Sequence, residues 1–264
     1  MQTFRLNSVQ IHSFSTSKLK ESFNEILMSN SNPQIITTFN LDFLRISQNN
    51  EEFLRICKNS LWNLPDGFGI TSLIKLKYKK KVERITGNDI FSILLKLANE
   101  KNLKVFIVGS KMEVLDKVKL LINNKYPTLT YNLKYLSPPL FFERDKMNNQ
   151  PIINEIAKFK PDIVFAALGC PRQEIWLYKN MNLFDSKLNI GIGAVLDYYS
   201  GLKRRSPIIL QKNGMEWLWR LLNEPRRLFK RYVISDIPFY LNNVIRIYKS
   251  RFFKNGDYCH TKDF

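Results

Sequence analysis

One aspartate stands at the end of a short apolar segment, in the stretch "WNLPDGFGI", where it could do chemistry or simply form a turn. Pro65 fixes φ and Gly67 accepts φ > 0, so turn formation alone accounts for Pro-Asp-Gly. A carboxylate held by a rigid turn is also a suitable general base. From this stretch alone, the role of Asp66 stays open between the two interpretations.

An arginine in "ERITGND" precedes a predicted helix whose N-cap is Asn88 or Gly87. A guanidinium beside a helix N-terminus can bind a diphosphate through bidentate hydrogen bonds and the helix dipole. Arg84 is therefore a candidate phosphate ligand, and a plain surface loop that caps the helix is an equally good interpretation.

The stretch "LGCPRQEIW" places an amide and a carboxylate in the first turn of another predicted helix, directly after a buried apolar strand. Gln173 and Glu174 could donate and accept hydrogen bonds from sugar hydroxyls or a base. Glu174 could equally be a favourable acidic residue at the positive end of the helix.

Two glycine-containing strand ends, "FIVGS" and "IGIGAVLD", could cradle phosphate through backbone N–H groups. Gly109 and Gly193 are the candidates, although plain turn glycines explain them as well. Neither stretch matches G-x-G-x-x-G, because Leu196 stands where the third glycine belongs. This argues against an NAD-dependent oxidoreductase.

The elements that position these residues alternate between strand and helix. Apolar runs rich in β-branched residues predict strands, and the segments between them have helical spacing. The main predicted strands are 34–39, 104–110, 128–136 and 161–169, with shorter ones in "LWNLPDG" and "KLNIGIG". The pattern predicts an α/β, Rossmann-like fold whose mainly parallel sheet has helices on both faces. Ligands of such sheets bind at the carboxyl ends of the strands, which is where the candidate residues lie.

The chain changes character at about residue 201. We expect an α/β catalytic domain at 1–200 and a helical appendage at 201–264, with helices broken by Pro225 and Pro238. The appendage holds 14 Lys and Arg against 5 Asp and Glu, so it carries +9 of the net charge of +18. Such a basic segment suggests phosphate-bearing partners, and ordinary solubility is the plainer interpretation.

Aromatic and basic residues are interleaved in the last helix of the appendage. The residues at helix-like spacing are Phe239, Tyr240, Val244, Ile247 and Tyr248, with Arg246, Lys249, Arg251 and Lys254 among or after them. This pattern favours contact with a membrane surface over nucleic acid, and docking onto the core is the alternative.

The residue content argues against several classes of protein. Three cysteines without C-x-x-C spacing indicate a reducing compartment rather than a disulfide framework. Two histidines and no Asp-x-Asp pair give little basis for a metal site. The N-terminal stretch has no signal-peptide core, and no apolar run approaches the length of a spanning helix. We therefore expect the protein to stay inside the cell.

Linked motifs along the chain resemble the WecG/TagA/CpsF glycosyltransferase family. In order they are "TTFNLDFL", "LPDGFGI", "ERITGND", "VFIVGS", "FAALGCPRQEIW", "IGIGAVLDYYSG", "RRSP" and "GMEWLWRLLNEPRRLFKRY". They extend from about residue 34 to 232, and several linked motifs are far more specific than any single one.

The resemblance implies a function and a setting. Such enzymes transfer a sugar, often N-acetylmannosamine or its uronic acid, from a UDP donor to a polyprenyl-diphosphate-linked acceptor in surface polysaccharide or teichoic acid synthesis. Family members that resemble this chain invert the anomeric configuration and use no metal ion, and no cofactor is implied. They act at the inner face of the cytoplasmic membrane. A homo-oligomer is left open, and no nucleic acid is expected as a partner.

The resemblance also assigns roles to residues. It implies that Asp66 is the general base and that Arg84 stabilises the departing UDP diphosphate. Pocket positions that contact donor sugar or acceptor match Thr38, Asn40, Gln173 and Glu174, with Gly109 and Gly193 in the glycine stretches. Arginines that close the site and contact the membrane match Arg220, Arg227 and Arg231. The alternative is a basic membrane- or nucleic-acid-binding protein with a non-catalytic α/β core.

Overall fold

A six-stranded parallel sheet forms the centre of the protein, in a computed structural model that describes residues 1–256 apart from the side chains of Lys212 and 252–256. Its strand order is β4-β3-β8-β7-β5-β6, and every neighbouring pair is parallel. The strands are β3 (Gln34–Phe39), β4 (Trp62–Pro65), β5 (Val105–Gly109), β6 (Leu133–Leu136), β7 (Ile163–Ala167) and β8 (Leu188–Gly191). The predicted Rossmann-like α/β fold is confirmed.

Helices connect the strands and cover the sheet. Those of the α/β part are α1 (Thr16–Met28), α2 (Leu41–Asn49), α3 (Glu51–Asn59), α4 (Phe68–Tyr78), α5 (Gly87–Lys101), α6 (Met112–Lys125), α7 (Leu129–Asn132), α8 (Lys146–Phe159), α9 (Arg172–Phe184) and α10 (Val195–Tyr199). A 3-10 turn at Phe142–Arg144 precedes α8.

Alternate residues of the central strands enter separate apolar cores on the two faces of the sheet. In β7, Ile163 and Phe165 belong to the core under α1, α5 and α6, whereas Val164 and Ala166 belong to the core under α8 and α9. A strand buried on both faces needs a continuous apolar run, which is why "DIVFAALG" is so uniformly apolar.

An antiparallel hairpin, which the sequence analysis did not predict, precedes the sheet. Its strands are β1 (Gln2–Leu6) and β2 (Val9–Ser13), joined by a two-residue turn. Asn7 takes a φ of +51° in that turn, a conformation that asparagine tolerates well. The hairpin contributes Phe4, Leu6 and Ile11 to a third core, which also includes residues of α2, α3 and α4.

Three local predictions were wrong. The segment 128–136 is a strand only from Leu133, because 129–132 forms the short helix α7. Helix α10 follows β8 where only a turn was expected. The N-cap of α5 is Thr86, because its side chain accepts a hydrogen bond from the Asp89 N–H while the Asp89 carboxylate accepts one from the Thr86 N–H.

The C-terminal segment is helical, as predicted. Its elements are α11 (Ile208–Lys212), α12 (Glu216–Asn223), α13 (Pro225–Phe229), a π-helix (Lys230–Asp236) and α14 (Ile237–Gly256). Pro225 occupies the first turn of α13 and separates it from α12. Pro238 does not break a helix, since it lies in the first turn of α14, where a missing N–H is tolerated. The end of the predicted appendage, 257–264, lies outside the described residues.

Helix α14 has two apolar sides, and the sequence analysis chose the wrong one for the surface. Phe239, Tyr240, Val244 and Ile247 pack against the third core. Of the predicted stripe, only Tyr248 is largely exposed, and it continues an outer row made by Ile237, Leu241 and Ile245. Arg251 donates hydrogen bonds to the carbonyls of Leu76 and Lys77 at the end of α4. The side chain of Lys254 lies outside the described part of the chain.

Candidate active site

Two cavities meet at the carboxyl edge of the sheet. The large cavity, of about 910 Å³, extends along the ends of β3, β5, β7 and β8. The small cavity, of about 270 Å³, lies between the loop after β4 and the C-terminal helices. The residues that line both are Asn40, Asp66, Arg220, Arg231 and Tyr232.

The large cavity is lined by loops that can present backbone N–H groups to a ligand. The loops that contribute begin at Gly109, Gly169 and Ile192, and the first turn of α5 adds Gly87 and Asn88. Backbone N–H groups at a helix N-terminus and in glycine turns are suited to phosphate oxygens. The cavity is therefore suited to a phosphorylated ligand of nucleotide size.

The small cavity combines aromatic and aliphatic wall residues with a larger number of charged ones. Its apolar wall residues are Leu41, Phe68, Trp217, Ile237 and Tyr240. Its charged wall residues are Asp42, Asp66, Arg84, Glu216, Arg220, Arg231 and Asp236. A cavity of this kind can hold a sugar whose neighbouring groups are anionic and apolar.

Backbone hydrogen bonds fix Asp66 at the junction of the two cavities. The Asp66 N–H donates to the Phe39 carbonyl at 2.9 Å, which ties the end of β4 to the end of β3. Gly67 follows with a φ of +82°, so a residue with a side chain would be strained there. The turn predicted from Pro-Asp-Gly is present, and it places Asp66 in the walls of both cavities.

The environment of Asp66 tunes its acidity. Burial raises the pKa of the Asp66 carboxyl to about 6, while the nearby charges partly oppose each other, with Arg220 and Arg84 lowering the pKa and Glu216 raising it. The carboxylate is ionised at neutral pH and has a proton affinity well above that of a free aspartate. Those are the properties of a general base that works near pH 7.

Two arginines from distant parts of the chain share one carboxylate beside Asp66. Arg84 is positioned by the Ile85 N–H, which donates to the Pro65 carbonyl at 2.9 Å. Arg84 Nη1 lies 3.0 Å from Glu216 Oε2, and Arg220 Nη2 binds the other oxygen of the same carboxylate. Arg220 also lies over the ring of Tyr198, 5.3 Å from its centroid.

A second charged group holds the π-helix against α2. Asp42 pairs with Arg45 and with Arg231, whose Nε lies 3.0 Å from Asp42 Oδ2. Asp236 accepts a hydrogen bond from Arg45 Nε at 3.0 Å. Because Arg231 and Asp236 belong to the π-helix, these pairs keep the C-terminal helices over the small cavity.

Comparison with known proteins identifies what kind of enzyme has this site. The profile described as "Glycosyl transferase WecG/TagA/CpsF family" matches residues 4–254. The chain belongs to this family. The match is longer than the motif resemblance at 34–232, since it includes most of the hairpin and nearly all of α14.

Individual relatives have one name in common. The chain is 30% identical over 230 residues to the N-acetylglucosaminyldiphosphoundecaprenol N-acetyl-beta-D-mannosaminyltransferase of Bacillus subtilis (strain 168), covering 86% of each chain. It is 25% identical over 217 residues to the enzyme of the same name from Staphylococcus aureus (strain MRSA252), covering 81% of each. The glycosyltransferase function expected from the motifs is confirmed.

Within this glycosyltransferase, most of the predicted site residues converge. Nine of them line the large cavity, namely Thr38, Asn40, Asp66, Gly109, Gln173, Gly193, Arg220, Arg227 and Arg231. Arg84 lines only the small cavity, together with Glu216. Glu174 lines neither cavity, because its side chain is buried beneath Gln173.

Gln173 and Glu174 form a pair that braces two loops. Gln173 Oε1 accepts hydrogen bonds from the Gly169 and Gly193 N–H groups, each at 3.1 Å. Gln173 Nε2 donates to Glu174 Oε1 at 2.7 Å. A Cβ at Gly191 would overlap both side chains, which explains the glycine there. The pair therefore fixes the loops after β7 and β8 that line the large cavity.

Glu174 should make the protein less stable as pH rises. Burial raises the pKa of this carboxyl to about 7 from a usual value of 4.5, and its Oε2 has no hydrogen-bond partner among the described residues. Between these values the folded state holds a proton that the unfolded chain releases, so the contribution of Glu174 is full below pH 4.5 and is lost by about pH 7. The loss is on the order of 3 kcal/mol.

The Glu174→Gln variant should lack this dependence. We expect the difference in unfolding free energy between the variant and the wild type to grow in favour of the variant from pH 4.5 to pH 7. Urea denaturation at a series of pH values measures it, with Glu113→Gln at an exposed site as the control. A difference that stays constant across this range would contradict the buried, protonated state of Glu174.

The sequence analysis left several site residues unassigned. Glu216, Trp217 and Tyr232 lie within its last motif, and Tyr198 lies within "IGIGAVLDYYSG". For Glu216 a signal was present, because Glu216 and Arg220 are four residues apart, the spacing of an ion pair on one face of a helix.

Proposed function

We propose that this glycosyltransferase moves a sugar, N-acetylmannosamine or a related hexose or uronic acid, from a UDP donor to a polyprenyl-diphosphate-linked sugar. The names of the relatives supply the N-acetylmannosaminyl group and the diphosphoundecaprenol-linked acceptor. The observation that carries the proposal is the presence of Asp66 in the walls of both cavities. A base between two compartments can serve a reaction between two bound substrates.

The donor fits the large cavity, and the acceptor sugar fits the small one. The α5 N-terminus and the glycine loops after β5, β7 and β8 supply hydrogen-bond donors for a UDP diphosphate on the side of the large cavity. The aromatic walls of the small cavity suit the face of a sugar ring and the start of a lipid chain.

The chemical step is a single displacement at the anomeric carbon. Asp66 accepts the proton of the acceptor hydroxyl as the hydroxyl oxygen forms a bond to that carbon. The bond from the carbon to the phosphate oxygen breaks, its electrons leave with UDP, and the anomeric configuration inverts. Arg220, which lines both cavities, and Arg84, which lines the small cavity beside Asp66, supply positive charge at the junction for the leaving diphosphate without a metal ion.

A direct assay tests this function. The full chain is incubated with a panel of UDP-sugars and a short-chain polyprenyl-diphosphate N-acetylglucosamine acceptor, with and without EDTA. We expect transfer from UDP-N-acetylmannosamine or a related donor, an inverted linkage, and no effect of EDTA. The absence of transfer from every UDP-sugar, combined with tight RNA binding, would favour the non-catalytic alternative.

The C-terminal helices carry features of a surface that contacts lipid. Exposed apolar residues are concentrated there, and those largest in exposure are Ile208, Ile209, Leu222, Phe229, Ile234, Leu241, Ile245 and Tyr248. Exposed cations stand among them, including Arg226, Lys230, Arg246 and Lys249. Within residues 1–256, no helix is long and apolar enough to span a bilayer. We therefore propose peripheral binding to the inner face of the cytoplasmic membrane through this surface.

Vesicle binding tests the proposed surface. We expect the protein to sediment with vesicles that contain anionic lipid, and binding should weaken as salt rises. The Leu241→Glu, Ile245→Glu double variant should bind about tenfold less, since it places two charges in the apolar row. Leu120→Glu, at an exposed site on α6, is the matched control. Equal binding by both variants would rule out α14 as the lipid-contacting helix.

A further inference from the structure

The carboxylate of Glu216 occupies a position that an anionic substrate would be expected to fill. Its two oxygens bind Arg84 and Arg220, one from the core and one from α12. Guanidinium groups bind carboxylate and phosphate oxygens through the same charge-assisted hydrogen bonds, so a phosphate could take the place of this carboxylate. The Glu216 side chain is only 12% exposed, so these pairs are largely shielded from water.

The turn before α12 places Glu216 at this position. Gly214, two residues earlier, has a φ of +72° and packs so closely on Phe68 that a Cβ would lie 2.6 Å from the Phe68 ring. Phe68 is itself two residues from Asp66. The turn before α12 is thus fitted to the loop that carries the base, and Glu216 follows it into the small cavity.

The pairing also joins the two arginines through one carboxylate at the small cavity. Arg84 and Glu216 line the small cavity and not the large one, whereas Arg220 lines both. The Nε of Arg220 is buried and has no hydrogen-bond partner among the described residues. Arg220 therefore retains a donor that Glu216, which binds its Nη2, does not satisfy.

We infer that Glu216 is the resident counter-anion of Arg84 and Arg220 and that the diphosphate of a substrate replaces it during the reaction cycle. This inference rests on the proposed function, because both proposed substrates carry a diphosphate. Glu216 keeps two cations beside Asp66 when no substrate is bound, and its release makes them available to the phosphate oxygens. Glu216 is a positioning residue: it holds the two arginines in place for the diphosphate, and it competes with the diphosphate for them.

Binding measurements with the Glu216→Gln variant test the exchange. An internal competitor lowers apparent affinity by the fraction of molecules in which the site is free. We expect Glu216→Gln to bind a diphosphate about tenfold more tightly than the wild type by isothermal titration calorimetry. UDP and farnesyl diphosphate are the two probes, with uridine as the ligand without phosphate.

The two probes identify the source of the diphosphate. Tighter binding of UDP alone assigns the exchange to the donor, and tighter binding of farnesyl diphosphate alone assigns it to the acceptor. Uridine affinity should not change. Glu83→Gln removes an equal charge from the residue before Arg84, at an exposed site outside both cavities, and should leave all affinities unchanged.

A purely structural role for Glu216 predicts the opposite sign. If the main role of Glu216 is to hold α12 against the core, Glu216→Gln loosens the site and weakens the binding of both diphosphate probes. Weaker or unchanged binding of both probes would overturn the inference. Glu216→Asp, which keeps the charge but is one methylene shorter, guards against loss of folding in the first variant and should also bind more tightly than the wild type. These measurements do not require turnover, so they can fail while the transfer assay succeeds, and the reverse.

Discussion

Replacing Asp66 with asparagine should reduce kcat for sugar transfer by about 10²- to 10⁴-fold, the usual contribution of a general base. Asparagine has nearly the same size and shape, so the turn formed by Pro65 and Gly67 should be kept. The variant cannot accept the proton of the acceptor hydroxyl. Initial rates with saturating donor and acceptor measure the loss, and UDP affinity should stay within about threefold because the donor contacts are intact.

The pH dependence of the wild-type rate gives an independent test of the same residue. Because burial raises the Asp66 pKa to about 6, kcat/KM should fall as pH drops through 6, when the base becomes protonated. The residual rate of Asp66→Asn should lack that acidic limb. Asp116→Asn, at an exposed site on α6, is the control and should retain both the rate and the limb. An Asp66→Asn enzyme with the wild-type rate would remove Asp66 from the chemical step.

The sheet could be predicted from the sequence because its strands are buried on both faces. A strand such as β7 must then be apolar at every position, and "DIVFAALG" has no other good interpretation between a proline and a glycine. The 34–39 strand is bounded as predicted for the same reason. The β1–β2 hairpin was missed although its residues alternate between exposed and buried, and a polar two-residue turn joins them.

The sequence predicts that the C-terminal appendage is helical, but it does not predict which side of its last helix packs on the core. Helix α14 has apolar residues on two sides, and periodicity alone cannot tell which side packs on the core. Packing on α4 and the third core decides that Tyr240, Val244 and Ile247 face inward. Ion pairs between distant segments are equally invisible in one sequence, since Arg84 and Glu216 are 132 residues apart. The motif could therefore predict Arg84 as a phosphate ligand, whereas its ion pair with Glu216 is visible only in the structure.

The charge of Arg84 should be required for transfer even though its present partner is a carboxylate. If the Glu216 contact is exchanged for a diphosphate, Arg84 meets the developing negative charge only on substrate binding. Arg84→Ala should then lower kcat/KM by about 10²- to 10³-fold, the effect of removing one preorganised donor to a developing anion. Arg84→Lys should recover part of the loss, because an ammonium keeps the charge but not the planar fork. Steady-state kinetics with varied donor and varied acceptor show which substrate the change affects.

A double variant separates the loss of a cation from the exposure of an unpaired acid. Arg84→Ala leaves Glu216 with Arg220 as its remaining partner, and the loss of the shared ion pair by itself changes the surroundings of Arg220. The Arg84→Ala, Glu216→Gln variant removes the extra carboxylate, so any activity that it regains over Arg84→Ala measures the second effect. We expect it to remain at least about tenfold below the wild type, because the cation is still missing. Arg55→Ala, at an exposed site on α3, should be fully active. Full recovery in the double variant would mean that Arg84 serves only to neutralise Glu216, and that Arg220 alone supports the leaving group.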